Sequence, residues 1–245
     1  MSMLVANPAG GNTFKVWDAP LRLFHWLLVA AITAAFLSSE GDSPIAAWHM
    51  AAGWVAAVLL AFRLIWGFVG GEHARFVNFI RPSGIVAHIR GLVAGHPERT
   101  VGHNPLGALA VLALFAAVGA VLWTGIQVDA GKADEDIHEA LAYGMLALVG
   151  IHVAAVLVMS LVTRDNLARA MVTGRKRTAL YPGARDARVP GFMAVVLGGV
   201  VVIAAVFGIT RFDPAAFSPQ AHGEAGEGQG GEYTAAGHGE NPDGD

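Results

Sequence analysis

The residues best suited to chemistry in this chain are histidines set in apolar surroundings. Four of its ten histidines, His25, His49, His138 and His152, lie in or at the edge of long hydrophobic runs. An imidazole is costly in hydrocarbon and usually turns inward, towards a partner. His138 and His152 share one run and are fourteen residues apart. On a helix that is roughly 21 Å and close to four turns, so both rings leave nearly the same face. Two inward imidazoles at two depths need two things to receive them. Because the chain has no cysteine, disulfides, iron–sulfur clusters, thiolate metal sites and covalently attached c-type haem are excluded. Histidine is left as its strong nitrogen ligand.

The elements that must hold these rings are membrane spans. Of the 245 residues, 54% are hydrophobic and only 14% charged, against about a quarter charged in an ordinary soluble domain. A net charge of −3 and the absence of a basic face leave no nucleic-acid surface. Apolar runs at 21–37, 45–69, 105–126, 137–162 and 190–210 predict five transmembrane helices. Ser43-Pro44 and Asn104-Pro105 carry start signals for the second and third. Asp136 and Glu139 have capping-box spacing for the fourth, behind the acidic run Asp134, Glu135, Asp136. That span exceeds the roughly 20 residues a bilayer requires and is expected to tilt or protrude. Trp123 is an interfacial residue near the end of the third. Residues 82–94 alternate apolar and polar positions at helical spacing, which predicts a short helix lying on the membrane surface. The first run has the length of a signal-peptide core, with Ser38-Ser39 behind it. Its internal His25, the four spans that follow and the lack of a basic n-region favour a permanent helix. The stretch after Asp213, rich in Gly and Glu, has too little apolar content to pack and is expected to be disordered.

Loop charge sets the orientation and, through it, the depths. The 70–103 and 163–189 connections hold eleven of the sixteen Lys and Arg residues, whereas 38–44 and 127–136 hold only Lys132. By the positive-inside rule the N-terminus is cytoplasmic and the C-terminal tail periplasmic. His49 and His138 then start inward-running helices just below the outer face. His25 and His152 each lie about 21 Å deeper. Four histidines on three helices form two levels, His49 with His138 and His25 with His152.

Two neutral imidazoles facing each other inside a helical bundle are the axial pair of a low-spin haem, b-type here because cysteine is absent. With both axial positions filled, the iron has no free site for oxygen, and the expected chemistry is electron transfer. Small residues near the ligands (Ala51, Ala52 and Gly53; Gly144 and Gly150) would admit a macrocycle. Arg22 and Arg63 lie near the inner level and could pair with haem propionates. Plainer roles compete: Arg63 snorkelling to the interface, Arg22 as a positive-inside anchor, the glycines as packing residues. Zinc is disfavoured, because two histidines per level half-fill its usual tetrahedral sphere. His103 sits beside an N-cap as a satisfied interfacial residue. His73, His88 and His96 are expected to be solvated in the basic loop. His222 and His238 fall in the tail.

The pieces Val16-Trp-Asp-Ala-Pro-Leu-Arg-Leu-Phe-His25-Trp, Trp48-His49-Met-Ala-Ala-Gly, Phe62-Arg63-Leu-Ile-Trp-Gly, Gly102-His-Asn-Pro-Leu-Gly107 and Ile137-His138-Glu through Ile151-His152 together resemble the bacterial cytochrome b561 group, in particular the diheme b-type subunits of nickel–iron hydrogenases. The resemblance covers residues 14 to about 177. It implies four core helices, two b haems ligated by His25, His49, His138 and His152, and electron exchange with a membrane quinone. The fifth helix and acidic tail depart from the four-helix pattern.

The expected architecture is therefore an all-α membrane protein. A cytoplasmic segment (1–13) precedes a four-helix haem-binding transmembrane domain (14–177), a basic cytoplasmic linker (178–189), an added fifth transmembrane helix (190–210) and an acidic periplasmic tail (211–245). The expected function is a respiratory-chain cytochrome of the bacterial inner membrane. It would relay electrons between quinone and a periplasmic redox protein, hydrogenase-like or cytochrome c-like, in the bilayer, with a homodimer as one assembly. One alternative is a superoxide:ubiquinone oxidoreductase acting alone, which would need a basic outer rim to steer the anion; the outer loops are acidic. Another is a haem-free anchor or proton-relay transporter, which has no need of depth-matched histidines.

Overall fold

The computed structural model describes residues 12–39, 44–80, 84–96 and 99–218. Five helices are long and apolar enough to cross a membrane. They are α1 (Ala19–Leu37), α2 (His49–Val69, preceded by a 3₁₀ turn at Ala46–Trp48), α5 (Pro105–Asp129), α6 (Glu135–Thr163) and α8 (Phe192–Phe212). Short helices α3 (Phe76–Phe79) and α4 (Ile85–Val93) lie between α2 and α5, and α7 (Leu167–Thr173) follows α6. Large apolar side chains point outward along all five spans, as they do where the surrounding medium is lipid: Leu23 is 62% exposed, Leu161 78% and Ile203 71%.

Two helical hairpins, α1–α2 and α5–α6, face each other and are joined chiefly where α2 meets α5. Without a hydrophobic drive between helices in lipid, close approach depends on small residues and polar ties. The fifth helix, α8, follows that rule. Its Gly198 sits against the rings of Phe62 and Trp66 on α2, where an added Cβ would come within 3.1 Å of both. At its far end Trp54 Nε1 donates to Asp213 Oδ2 at 3.0 Å.

The helix starts differ in detail from those the sequence predicts. Asp18 caps α1, accepting from Leu21 N at 2.8 Å, and Asn104 caps α5 as expected, accepting from Gly107 N at 2.6 Å. Helix α6 is capped by Asp134, which accepts from Asp136 N at 3.0 Å, instead of by an Asp136–Glu139 box. The regular part of α2 begins at His49 itself; Ser43 lies outside the described residues. Residues 213–218, expected to be disordered, form a turn with Ala216 fully buried. The rest of the tail, His222 and His238 included, lies outside the described residues.

The basic-loop end of the bundle holds a strand pair that the sequence pattern does not announce. β1 (Thr13–Lys15) pairs antiparallel with β2 (Arg175–Arg177), Phe14 opposite Lys176. Beneath it runs a buried network. Lys176 Nζ contacts Asp165 Oδ2 at 3.0 Å, Tyr181 OH donates to the same carboxylate at 2.6 Å, and Lys176 also donates to the Thr100 carbonyl at 2.9 Å. Burial raises the Tyr181 hydroxyl above its ordinary range, helped by Asp165, so it stays a donor. Asp18 ties the same end together. Besides capping α1, it accepts from Trp66 Nε1 at 3.1 Å and from Gly71 N at 3.1 Å, joining the start of α1 to the end of α2.

Candidate functional site

At the acidic-loop end the two hairpins stand apart around a cavity of about 530 Å³ lined by all four helices. α1 contributes Ile32, Ala35 and Phe36; α2 contributes His49, Met50 and Gly53; α5 contributes Leu122 and Gly125; α6 contributes His138, Tyr143 and Leu146. The rings of His49 and His138 face each other across it, centroids 6.1 Å apart and planes at 85°.

Each ring is held by its Nδ1. That of His49 lies 2.8 Å from the Ala35 carbonyl on α1. A carbonyl only accepts, so Nδ1 carries the proton and Nε2 is left with a free lone pair. That of His138 lies 3.1 Å from Thr124 Oγ1 on α5. The threonine hydroxyl is itself within 3.0 Å of the Ala120 carbonyl and 3.1 Å of that of Val121. Its proton goes to a carbonyl, and His138 Nδ1–H therefore donates to its oxygen. An added Cβ at Gly125 would meet His138 Cε1 at 3.1 Å, so the glycine lets α5 approach the ring.

This arrangement fits a metal held between two imidazoles. Metal-ligating histidines almost always donate their second ring nitrogen to a carbonyl, carboxylate or water. Two such rings on opposite sides of one ion, each bonded at about 2 Å, put their centres about 6 Å apart. Among the described residues no group of three or more His, Cys, Asp or Glu side chains could hold a metal. The ion would have to bring its remaining ligands with it, as a macrocycle does. The Gly53 position opens on the cavity, with nothing within 4 Å of where a Cβ would stand, and Gly144 and Gly150 are equally uncrowded. The glycines on α6 are thus not packing residues within this chain.

The inner pair is looser. His25 lies on α1, its ring stacked on Trp26 at 5.1 Å and 25°. It is within electrostatic range of His152 on α6, although no ring contact joins the two among the described residues. Arg63 does not snorkel. It is 2% exposed, donates Nη2 to the Ala74 carbonyl at 3.1 Å and lies over the rings of Phe76 (4.9 Å) and Phe115 (5.3 Å). Its Nη1 is buried with no hydrogen-bond partner. A buried guanidinium with only neutral contacts is an opening for an anion. Arg22 extends the other way, donating to the Val172 carbonyl on α7 at 2.5 Å.

Some histidines of the basic loop depart from expectation. His88 is 4% exposed, because it lies on the face of α4 turned towards the bundle. His73 is half-buried, 6.2 Å from the Trp17 ring, and desolvation holds it below the usual imidazole range. His96 is exposed as expected. His103 is wedged between Trp17 (4.9 Å) and Phe79 (4.6 Å) with Nδ1 unpartnered, not a satisfied residue. Burial, with Arg63 next, lowers it to about 3. Nothing in the local sequence marks Thr124 or the Ala35 carbonyl as orienting groups. Their fourteen-residue offsets from His138 and His49 become contacts only when neighbouring helices run antiparallel.

Comparison with known proteins identifies the family. The family model for prokaryotic cytochrome b561 matches residues 16–174. The chain is 31% identical over 209 residues to an Azotobacter vinelandii protein named "Probable Ni/Fe-hydrogenase B-type cytochrome subunit", covering 65% of this chain and 86% of that one. Similar proteins of the same name occur in Bradyrhizobium diazoefficiens (24% over 216 residues, 69% and 87% covered). In Escherichia coli K12 a hydrogenase 1 counterpart is 30% identical over 136 residues, with 45% and 57% covered. No solved structure gives a significant match. A four-helix bundle with inward imidazoles, matched by the family model over most of its length, places this chain in the prokaryotic cytochrome b561 family, as an integral-membrane b-type cytochrome of the electron-transport class.

Proposed function

We propose that the chain is a diheme cytochrome b subunit that passes electrons between the membrane quinone pool and a periplasmic redox partner, a nickel–iron hydrogenase by analogy with the named relatives. The observation that carries this reading is the His49–His138 pair, 6.1 Å apart, each ring fixed through Nδ1 across a cavity walled by four helices. Haem supplies one-electron redox chemistry when bound. Everything else is the work of the chain. Ala35 and Thr124 keep the outer imidazoles in the tautomer that leaves Nε2 free, and mostly apolar side chains from four helices wall the space between them. At the inner level His25 and His152 form the second pair, and the unpartnered Nη1 of Arg63 suits a haem carboxylate. Arg22, expected in the same role, donates Nη1 to the Val172 carbonyl and keeps its Nε without a partner. The distribution of basic loops favours an N-terminus in the cytoplasm, so the outer pair faces the partner and the inner pair the cytoplasmic half of the bilayer.

Haem extraction from the purified chain is expected to yield two b haems, with His49→Ala or His138→Ala removing one and His25→Ala or His152→Ala the other. A colourless protein sinks the proposal. Loss of both haems from each single variant sinks the two-level assignment. Quinone reduction in membranes holding both this chain and a hydrogenase, absent when either is deleted, tests the partner.

A further inference from the structure

A second cavity, of about 350 Å³, opens at the basic-loop end, at the rim between the first turns of α1 and α8. Four cationic residues line it: Lys15 on β1, Arg22 on α1, Arg175 on β2 and Arg188 just before α8. The two carboxylates on its wall are already committed. Asp18 accepts from Leu21 N, Trp66 Nε1 and Gly71 N. Glu72 accepts from Arg188 N and pairs with Arg185 at 3.1 Å. The nearby Asp186 accepts from the Lys15 amide at 2.6 Å. The cations are less occupied. Arg22 Nε is buried without a partner, and Arg175 makes only neutral bonds, to Thr13. Among the described residues no carboxylate pairs with Lys15 Nζ or the Arg188 guanidinium. Helix α8 adds to this field, because Gly191 gives its N-terminus no side-chain cap and the positive end of its dipole faces the same corner.

Beside the cavity the surface is apolar and bare: Leu23 is 62% exposed, Val189 71% and Phe192 79%. A charged recess at a membrane edge, with acyl-accepting surface next to it, has the chemistry of a lipid-headgroup site. We propose that this recess binds the phosphate headgroup of an anionic phospholipid, and that α8 is the wall completing it. A phosphate there receives charge-assisted bonds from Arg22 and Arg188 while its acyl chains lie along α1 and α8.

The test uses the full chain in lipid nanodiscs, in phosphatidylcholine alone or mixed with phosphatidylglycerol or cardiolipin, followed by native mass spectrometry after mild delipidation. One anionic phospholipid is expected to stay bound, and Lys15→Gln with Arg188→Gln is expected to reduce its retention about tenfold or more with haem content unchanged. Arg22→Gln is the stronger single variant; because it also removes the bond to Val172, the paired variant is the one that decides. Equal retention of phosphatidylcholine, or unchanged retention in the paired variant, overturns the proposal. Displacement of bound lipid by millimolar inorganic phosphate alone also overturns it, in favour of a soluble-phosphate site.

Discussion

At the acidic-loop end of the bundle, four helices stand apart around an open cavity, and each of the two histidines there is positioned by a single hydrogen bond that its Nδ1 donates to a neighbouring helix. At the basic-loop end the same helices are tied by the strand pair, the Lys176–Asp165–Tyr181 network and the three-way bond of Asp18. The contrast separates two tasks. The tied end sets the spacing and rotation of the helices, and the open end uses that spacing to leave room between two imidazoles. Stability and the geometry of the His49–His138 pair are thus housed at opposite ends of the bundle, and variants at the two ends should fail in different ways.

The largest effect is expected at the tied end. Lys176→Ala leaves the Asp165 carboxylate buried without its counter-ion and should cost about 3–5 kcal/mol. It would be read as a lower midpoint of thermal unfolding in detergent, with haem stoichiometry of the surviving protein unchanged. Replacing both partners, Lys176→Met with Asp165→Asn, should recover much of the loss. Selective loss of the outer haem from Lys176→Ala would break the division.

Thr124→Val is the converse. It removes the oxygen that orients His138 but keeps the side chain's shape, and should weaken haem retention at the outer level about 10–100-fold. The inner haem and the unfolding midpoint of the apoprotein should change little. Competition for haem by an apo-globin acceptor gives the measurement, and equal loss at both levels would show that the levels are not independent.

Near neutral pH the smallest effect is a pH slope that belongs to the tied end. His103 is held neutral in the fold at about 3, against an ordinary 6.5. Between those values the unfolded chain binds a proton that the folded chain does not. The contribution of His103 is therefore fully present above about pH 6.5 and is lost as pH falls towards 3. His103→Gln should flatten the acid limb of a midpoint-against-pH curve. A variant as acid-sensitive as the wild type would assign that limb to other groups.

The spans were legible because a bilayer imposes length and apolarity on every crossing helix. That His49 and His138 would meet followed from rise per residue and loop charge alone. Asn104-Pro105 was readable as a helix start for the same reason, since a cap needs only local chemistry. What could not be read depends on partners far along the chain. Lys176 looks like one more positive charge in Arg175-Lys176-Arg177, and only the fold brings Asp165 and Tyr181 beneath it. Alternation over three residues is too short to mark a strand, so β1 and β2 were silent. Arg63 has the position of a snorkelling residue, and its burial arises because the α2–α5 loop folds back over it through Ala74 and Phe76.

The strand pair has a consequence for how the chain is made. Thr13 and Arg175 are 162 residues apart and bonded side chain to side chain. During synthesis the N-terminal strand has no partner until four helices have entered the membrane and the segment after α7 has left the ribosome. The basic-loop end of α1, already joined to the end of α2 through Asp18, therefore gains its strand pairing last, as a latch that closes over a finished unit. Helix α8 arrives after that closure and docks on α2, its far end holding Trp54, a residue of the cavity wall, through Asp213 and Phe212.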